Sequence, residues 1–222
     1  PVRLKENTIT DQLKLERPGA KVISMSIKNR GAILPGGHMS NGTYWFDSKS
    51  GDFITSTFYT TELPKWVTDF NKKDLPEKSM KQVWNTLLPI EQYVQSGPDN
   101  SPYEHLLPGK TEPVFPYDLP KISTKENVYD VFTCTPFANT FLTDFAIQAL
   151  HAEKMGQNGS TDMLCISYSS TDIIGHEFGP QSKEIQDTYL RLDRELERLL
   201  NELDNTLGKG NYTLFLTADH AV

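Results

Sequence analysis

From Asn139 to Asp219 the chain alternates helix, strand, helix and strand patterns, and few folds accept that order. "NTFLTDFAIQALHAEKM" sets Phe141, Phe145, Ala149 and Leu142, Ala146 at helical spacing, with Gly156 as a stop. "DMLCISYSS" is an apolar strand run. "SKEIQDTYLRLDRELERLLNELDNTLG" repeats Ile185, Tyr189, Leu192, Leu196, Leu199, Leu203 and Leu207 at intervals of three and four before Gly208. "YTLFLTA" is the next predicted strand. Strand–helix–strand in this order predicts crossover connections. The expected fold class is therefore α/β, a mostly parallel sheet flanked by helices. In such sheets ligands gather beyond the carboxyl ends of the strands, where this pattern places Asp172 and Asp219.

Upstream, "KVISMSIKNR" reads as a strand and "GAILPGGH" as a Gly/Pro-rich loop. "TYWFDSKSGDFITSTFY" predicts a hairpin turning at Ser48-Lys49-Ser50-Gly51. Residues 63–120 hold much of the proline, with "LPKWVTDFNKK" and "KQVWNTLLP" as candidate short helices. The expected organisation is a core segment over residues 1–35, an irregular insertion or cap over 36–125 that includes the hairpin, and a second core segment over 126–222. With 222 residues, 37% of them hydrophobic, a real core is possible. No apolar stretch nears the ~20 residues that span a bilayer, and a net charge of −7 argues against nucleic acid as a partner. Cys165 lies in a strand pattern and reads as a small core residue; a disulfide with Cys134 is the alternative.

The chemistry-bearing residues concentrate at the two predicted strand ends. "SSTDIIGHEFGP" carries Asp172 and His176, and "TADHAV" carries Asp219 and His220. Carboxylate oxygen with imidazole nitrogen suits zinc or another first-row divalent ion. Taken singly, Asp172 also reads as a helix cap and His220 as a hydrogen-bonded core histidine. In "SIKNRG", a continuing strand would aim Lys28 and Arg30 to one side, a planar fork and a point charge suited to phosphoryl oxygens. Two solvated charges on an edge strand are the alternative. His38, His105 and His151 are scattered and suggest no second cluster.

Together, "SYSSTDIIGHEFGP", "TADHAV" and "SIKNRGAILPGGH" resemble the alkaline phosphatase superfamily, closest to the PafA-like alkaline phosphatases within the type I phosphodiesterase/nucleotide pyrophosphatase group. The resemblance runs over essentially the whole chain. It implies an alkaline-phosphatase-like core and a two-zinc phosphate monoester hydrolase acting through a phosphothreonine. By the resemblance, Asp172 and His176 bind one zinc, Asp219 and His220 bind the other, and Lys28 and Arg30 hold oxygens of the transferred group. The nucleophilic threonine, an upstream aspartate and a downstream histidine ligand have no counterpart here. The chain is therefore expected to be an internal fragment with an incomplete core, inactive alone. The substrate implied is a small-molecule phosphate ester, and the implied location is the periplasm or cell surface. A phosphodiesterase of the same superfamily and a non-catalytic binding domain are the competing readings.

Overall fold

The structure, a computed structural model, describes residues 4–220; Ala221 and Val222, the end of the "TADHAV" motif, lie outside the described residues. In chain order the helices are α1 (Ile9–Glu16), α2 (Asn29–Gly36), α3 (Lys65–Asn71), α4 (Leu75–Ser79), α5 (Leu119–Ile122), α6 (Val128–Thr133), α7 (Phe137–Ala152), α8 (Ser169–Phe178) and α9 (Lys183–Leu207). The strands are β1 (Val22–Ser26), β2 (Gly42–Asp47), β3 (Asp52–Ile54), β4 (Val83–Trp84), β5 (Tyr117–Asp118) and β6 (Met163–Ser167). These elements form two compact units, one from described residues within 1–74 and 141–169, the other from those within 75–140 and 170–222.

The first unit is built on a four-stranded sheet in the order β3-β2-β1-β6. β1 runs parallel to both β2 and β6, and β2 and β3 form the antiparallel hairpin. The mostly parallel α/β expectation holds. All five residues of β1 are buried, as a central parallel strand covered on both faces requires. β6, at the sheet edge, is only half-buried. The hairpin turns where expected, with the Ser50 backbone N–H donating to Asp47 Oδ2 at 3.2 Å and Gly51 at φ +79°. Phe53 stacks on Phe145 and Phe141, its ring centroid 3.8 and 4.8 Å from theirs. Phe141, Leu142, Phe145, Ala146 and Ala149 of α7 are all buried, as their spacing predicted.

"GAILPGGH" is a correction. It is not a loop; most of it is α2, which begins directly after β1. β1 ends because Ser26 turns the chain: its Oγ donates to Ser167 O at 3.1 Å and accepts from the Lys28 N–H at 3.1 Å. The glycines here serve close packing. A Cβ on Gly31 would stand 2.5 Å from Ser26 Oγ and 2.7 Å from Ser167 Oγ. Pro35 falls in the last turn of α2, whose orphan carbonyls are capped by Thr10 Oγ1, donating to Pro35 O at 2.7 Å and Gly36 O at 3.2 Å. Gly31→Ala should destabilise the protein by about 1–3 kcal/mol through overpacking. The exposed change Leu34→Ala should stay within about 0.5 kcal/mol in the same chemical-denaturation experiment.

The second unit takes residues 75–125 of the expected insertion, whose hairpin instead belongs to the first unit's sheet. "KQVWNTLLP", expected as a helix, instead carries β4, which pairs antiparallel with β5 through Trp84 and Tyr117. Both side chains are fully buried and stack at 5.1 Å. Each is bolted to the first turns of α9. Trp84 Nε1 donates to Asp187 Oδ2 at 2.7 Å, and Tyr117 Oη donates to Glu184 Oε1 at 2.6 Å. The apolar stripe predicted for α9 is only partly buried, with Ile185 and Leu199 inside but Tyr189 56% exposed. The first two turns bury polar Glu184, Asp187 and Thr188 in its place. Burial lifts the Glu184 carboxyl to about 8, against the pull of the Tyr117 hydroxyl; Glu104 and Asp99 add to the rise.

The strand predicted at "YTLFLTA" does not form. Residues 212–218 form no strand, and Leu214, Phe215 and Leu216 are 54%, 81% and 77% exposed. Strand patterning alone does not make a strand; the backbone needs a ladder partner, and this segment has none among the described residues. Cys134 and Cys165 are both free thiols. Burial pushes them up to about 12 and about 11, with Glu177 adding to the rise at Cys134.

Candidate metal centre

Asp172 and His176 do not sit at a strand tip. β6 ends at Ser167, and both residues lie in α8. The spacing of four is helical. Ser170, Ile174 and Phe178 recur at intervals of four and are all buried, which sets the rotation of the helix. Residues 172 and 176, two positions out of phase, then occupy the opposite face. Their side chains meet there, His176 Nε2 lying 3.3 Å from Asp172 Oδ1. Gly179, at φ +86°, closes the helix with its N–H on Gly175 O at 2.9 Å. Ser182 Oγ then caps α9 by accepting from the Ile185 N–H at 3.1 Å.

Asp219 and His220 reach the same place from an irregular segment. His220 Nε2 stands 3.4 Å from Asp172 Oδ1 and 3.8 Å from Asp219 Oδ2, so this imidazole bridges the two carboxylates. Asp172 is thus the common point of His176 and His220, and Asp219 joins them through His220. Two donors sharing a tetrahedral zinc at about 2.0–2.1 Å stand about 3.3–3.4 Å apart. The two Asp172–histidine separations match that edge. Among the described residues no group of three or more such side chains is closed into a ready metal cage. The set is open to water: the side chains of His176, His220 and Asp219 are 73%, 56% and 93% exposed, and that of Asp172 is 27% exposed. Carboxylate oxygen paired with imidazole nitrogen is a donor chemistry that first-row divalent ions accept, and an ion here would need further ligands.

Lys28 and Arg30 belong to the other unit and are described with it. They are not on a strand, so the alternation that aimed them to one side lapses. Lys28 is the N-cap of α2, with φ −93° and ψ 135°, and is half-buried; Arg30 is exposed in the first turn. Two cations at the start of a helix still present charge at one end of one element.

Sequence reasoning passed over two histidine roles. His38 locks the first unit: its Nδ1 is 3.2 Å from Asp11 Oδ2, its Nε2 is 2.8 Å from Leu4 O, and its backbone N–H donates to Asp11 Oδ1 at 2.8 Å. Burial alone would raise the Asp11 carboxyl, but backbone N–H groups of Thr8, Met39 and His38 hold it below its usual range. In the second unit, His105 ties the insertion to α8 through its N–H on Glu177 O at 2.7 Å. Neither contact has a local sequence signature, since each joins segments far apart in the chain.

Residues 31–222 match the type I phosphodiesterase / nucleotide pyrophosphatase family. The chain is 52% identical to alkaline phosphatase PhoV of Synechococcus elongatus and 49% identical to alkaline phosphatase PafA of Elizabethkingia meningoseptica, in each case over 99% of this chain and 40% of the relative. A Myroides odoratus protein named as a calcium-transporting ATPase is also 52% identical over the same shares. The crystal structure of wild-type PafA superposes with a TM-score of 0.88 and 47% identity, covering 93% of this chain and 40% of that one. The chain thus spans about two-fifths of the length of the relatives it matches. By sequence and by fold, it belongs to the type I phosphodiesterase/nucleotide pyrophosphatase family.

Proposed function

We propose that this chain supplies part of the metal-binding and phosphate-gripping apparatus of a zinc-dependent phosphate monoester hydrolase, an alkaline phosphatase. The observation that carries the reading is the convergence of His176 Nε2 and His220 Nε2 on one oxygen of Asp172. The names of PhoV and PafA, at about half identity, supply the reaction class. Asp172 with His176, and Asp219 with His220, would hold two zinc ions, completed by ligands from outside this chain. When bound, such ions acidify an attacking hydroxyl and stabilise the leaving oxygen.

The chain's own part is to fix charge. Asp172 brings one carboxylate oxygen to 3.3 and 3.4 Å from the Nε2 atoms of His176 and His220, so its charge would sit beside both imidazoles where an ion is held. Lys28 and Arg30 supply positive charge for the non-bridging oxygens of the transferred group, and arginine adds a two-pronged hydrogen-bond donor. A threonine outside this chain is the proposed nucleophile. The substrate is a small-molecule phosphate ester, and the place of action is the periplasm or cell surface. No helix among the described residues is long and apolar enough to cross a membrane.

Phosphodiester hydrolysis is the second reading, favoured by the family match over residues 31–222. The two part at Lys28 and Arg30. A monoester dianion has an extra charged oxygen for these cations to meet, whereas a diester carries an organic group there. In the full-length protein with zinc supplied, kcat/KM for an aryl phosphate monoester should exceed that for the matching diester. Lys28→Ala/Arg30→Ala should cut the monoester value by on the order of 10²-fold or more and spare the diester. A diester preference indifferent to both substitutions would overturn the monoesterase reading.

A further inference from the structure

The C-terminal turn of α8 is held by the insertion, and this has a bearing on His176, which lies in that turn. Phe178 is 2% exposed. Its ring meets Trp84 edge-on at 6.2 Å and Tyr117 at 5.7 Å. Phe115 stands edge-on to both of those rings, at 5.2 and 5.3 Å. The four rings form an aromatic box with Phe178 as its plug. A two-residue ladder such as β4–β5 has little stability of its own. The box stays in place because Trp84 and Tyr117 hydrogen-bond to Asp187 and Glu184, which are wholly buried on α9. Residues 179–182 alone separate that helix from α8. Two further ties flank the plug: His105 N–H donates to Glu177 O at 2.7 Å, and Gly97 N–H donates to Gln181 O at 2.7 Å.

We propose that the insertion is a brace and that Phe178 is a positioning residue for His176. The inference rests on the reading of His176 as a metal ligand. Phe178 touches neither metal nor substrate. It fixes the last turn of α8, and thereby the separation of His176 Nε2 from Asp172 Oδ1. Asp172 sits in the first turn of the same helix, so fraying of the last turn would move one ligand and leave the other. Metal affinity would fall before the fold is lost. Groups that orient ligands from behind commonly govern affinity by ten- to a hundredfold.

The test is Co2+ binding to the full-length protein, followed by visible absorption, with thermal unfolding measured in parallel. His176→Ala identifies the portion of the Co2+ spectrum that belongs to this site. Phe178→Ala should weaken Co2+ binding there by about tenfold or more. Phe178→Leu, which keeps the box filled, should stay within about threefold. Phe132→Ala is the control, since Phe132 is fully buried in the same unit but is not one of the four rings of the box; it should lower the unfolding temperature and leave Co2+ affinity alone. His105→Ala removes an exposed side-chain contact, Nδ1 3.4 Å from Glu177 Oε2, but keeps the backbone bond to Glu177 O, so it should leave affinity nearly unchanged. Equal Co2+ affinities for Phe178→Ala, Phe132→Ala and wild type would overturn the brace. A Co2+ spectrum identical in wild type and His176→Ala would instead remove the ligand reading on which it stands.

Discussion

Asp172→Asn in the full-length protein should lower kcat/KM for a phosphate monoester by at least about 10²-fold and release metal in proportion. The substitution keeps shape and hydrogen-bonding capacity but removes the charge that both His176 and His220 approach. A neutral amide is a poor zinc ligand. It would also turn a donor N–H toward an imidazole as readily as an acceptor oxygen. Asp219→Asn should do less to the His176 site, because Asp219 stands 3.8 Å from His220 and meets this cluster only through it. Zinc content, measured by elemental analysis beside the kinetics, separates ligand loss from damage to the transition state. Should activity and zinc both survive Asp172→Asn, the cluster is no more than exposed helix-surface ion pairing. Pairs of that kind contribute about 0.3–0.5 kcal/mol.

The second large effect is on stability. Asp187→Ala should destabilise the unit containing the insertion by about 3–5 kcal/mol. The Asp187 side chain is wholly buried and accepts from four donors: Trp84 Nε1 at 2.7 Å, the Leu87 N–H at 2.7 Å, Tyr93 Oη, and Arg191 Nε at 2.6 Å. Deleting the acceptor strands the Trp84 indole N–H and the Tyr93 hydroxyl proton, leaves the Leu87 N–H only its 2.9 Å bond to Tyr93 Oη, and leaves a guanidinium without its counter-charge. Leaving such groups desolvated costs more than the bonds contribute when made. Asp187→Asn should fall between, retaining one oxygen for two of the donors. Trp84 is the tryptophan of this unit, while Trp45 and Trp66 lie in the other. A Trp84-only variant would therefore report the loss as an earlier fluorescence transition in urea. A midpoint unchanged from that of the parent variant would mean the four donors find water or other acceptors, and the hub assignment would be wrong.

The contrast between α7 and α9 explains what could be read from the residues alone. In α7 the buried positions are apolar and recur at helical spacing, so periodicity found both the element and its inner face. α9 is equally periodic, and its span was legible to within a residue. Its inner face was not. Glu184 and Asp187 look solvent-bound in sequence, and only the distant arrival of Trp84, Tyr93 and Tyr117 makes them core residues. The same holds at Lys28. Strand alternation assigned it a direction, but a local Ser26 side-chain hydrogen bond ended the strand first. The four candidate ligands were found from chemistry and spacing, though for partly wrong structural reasons. Asp172 and His176 meet because of helical, not strand, geometry. His220 reaches them without the strand that was expected to carry it.

The hydrogen bonds from Trp84 and Tyr117 to the start of α9 also set a rule of inheritance. The insertion and the helix that receives it are separated in the chain by α7 and β6, which serve the other unit. A chimera that takes residues 75–136 from a relative and keeps α9 from this chain would join donors and acceptors selected apart. Unless the donor sequence offers an indole and a phenol opposite Asp187 and Glu184, the graft buries Glu184 without its phenol donor and leaves Asp187 short of its indole, with Arg191 of its own helix still in place. Functional exchange of the insertion between family members therefore requires that residues 182–191 travel with it, although they lie some fifty positions further along the chain.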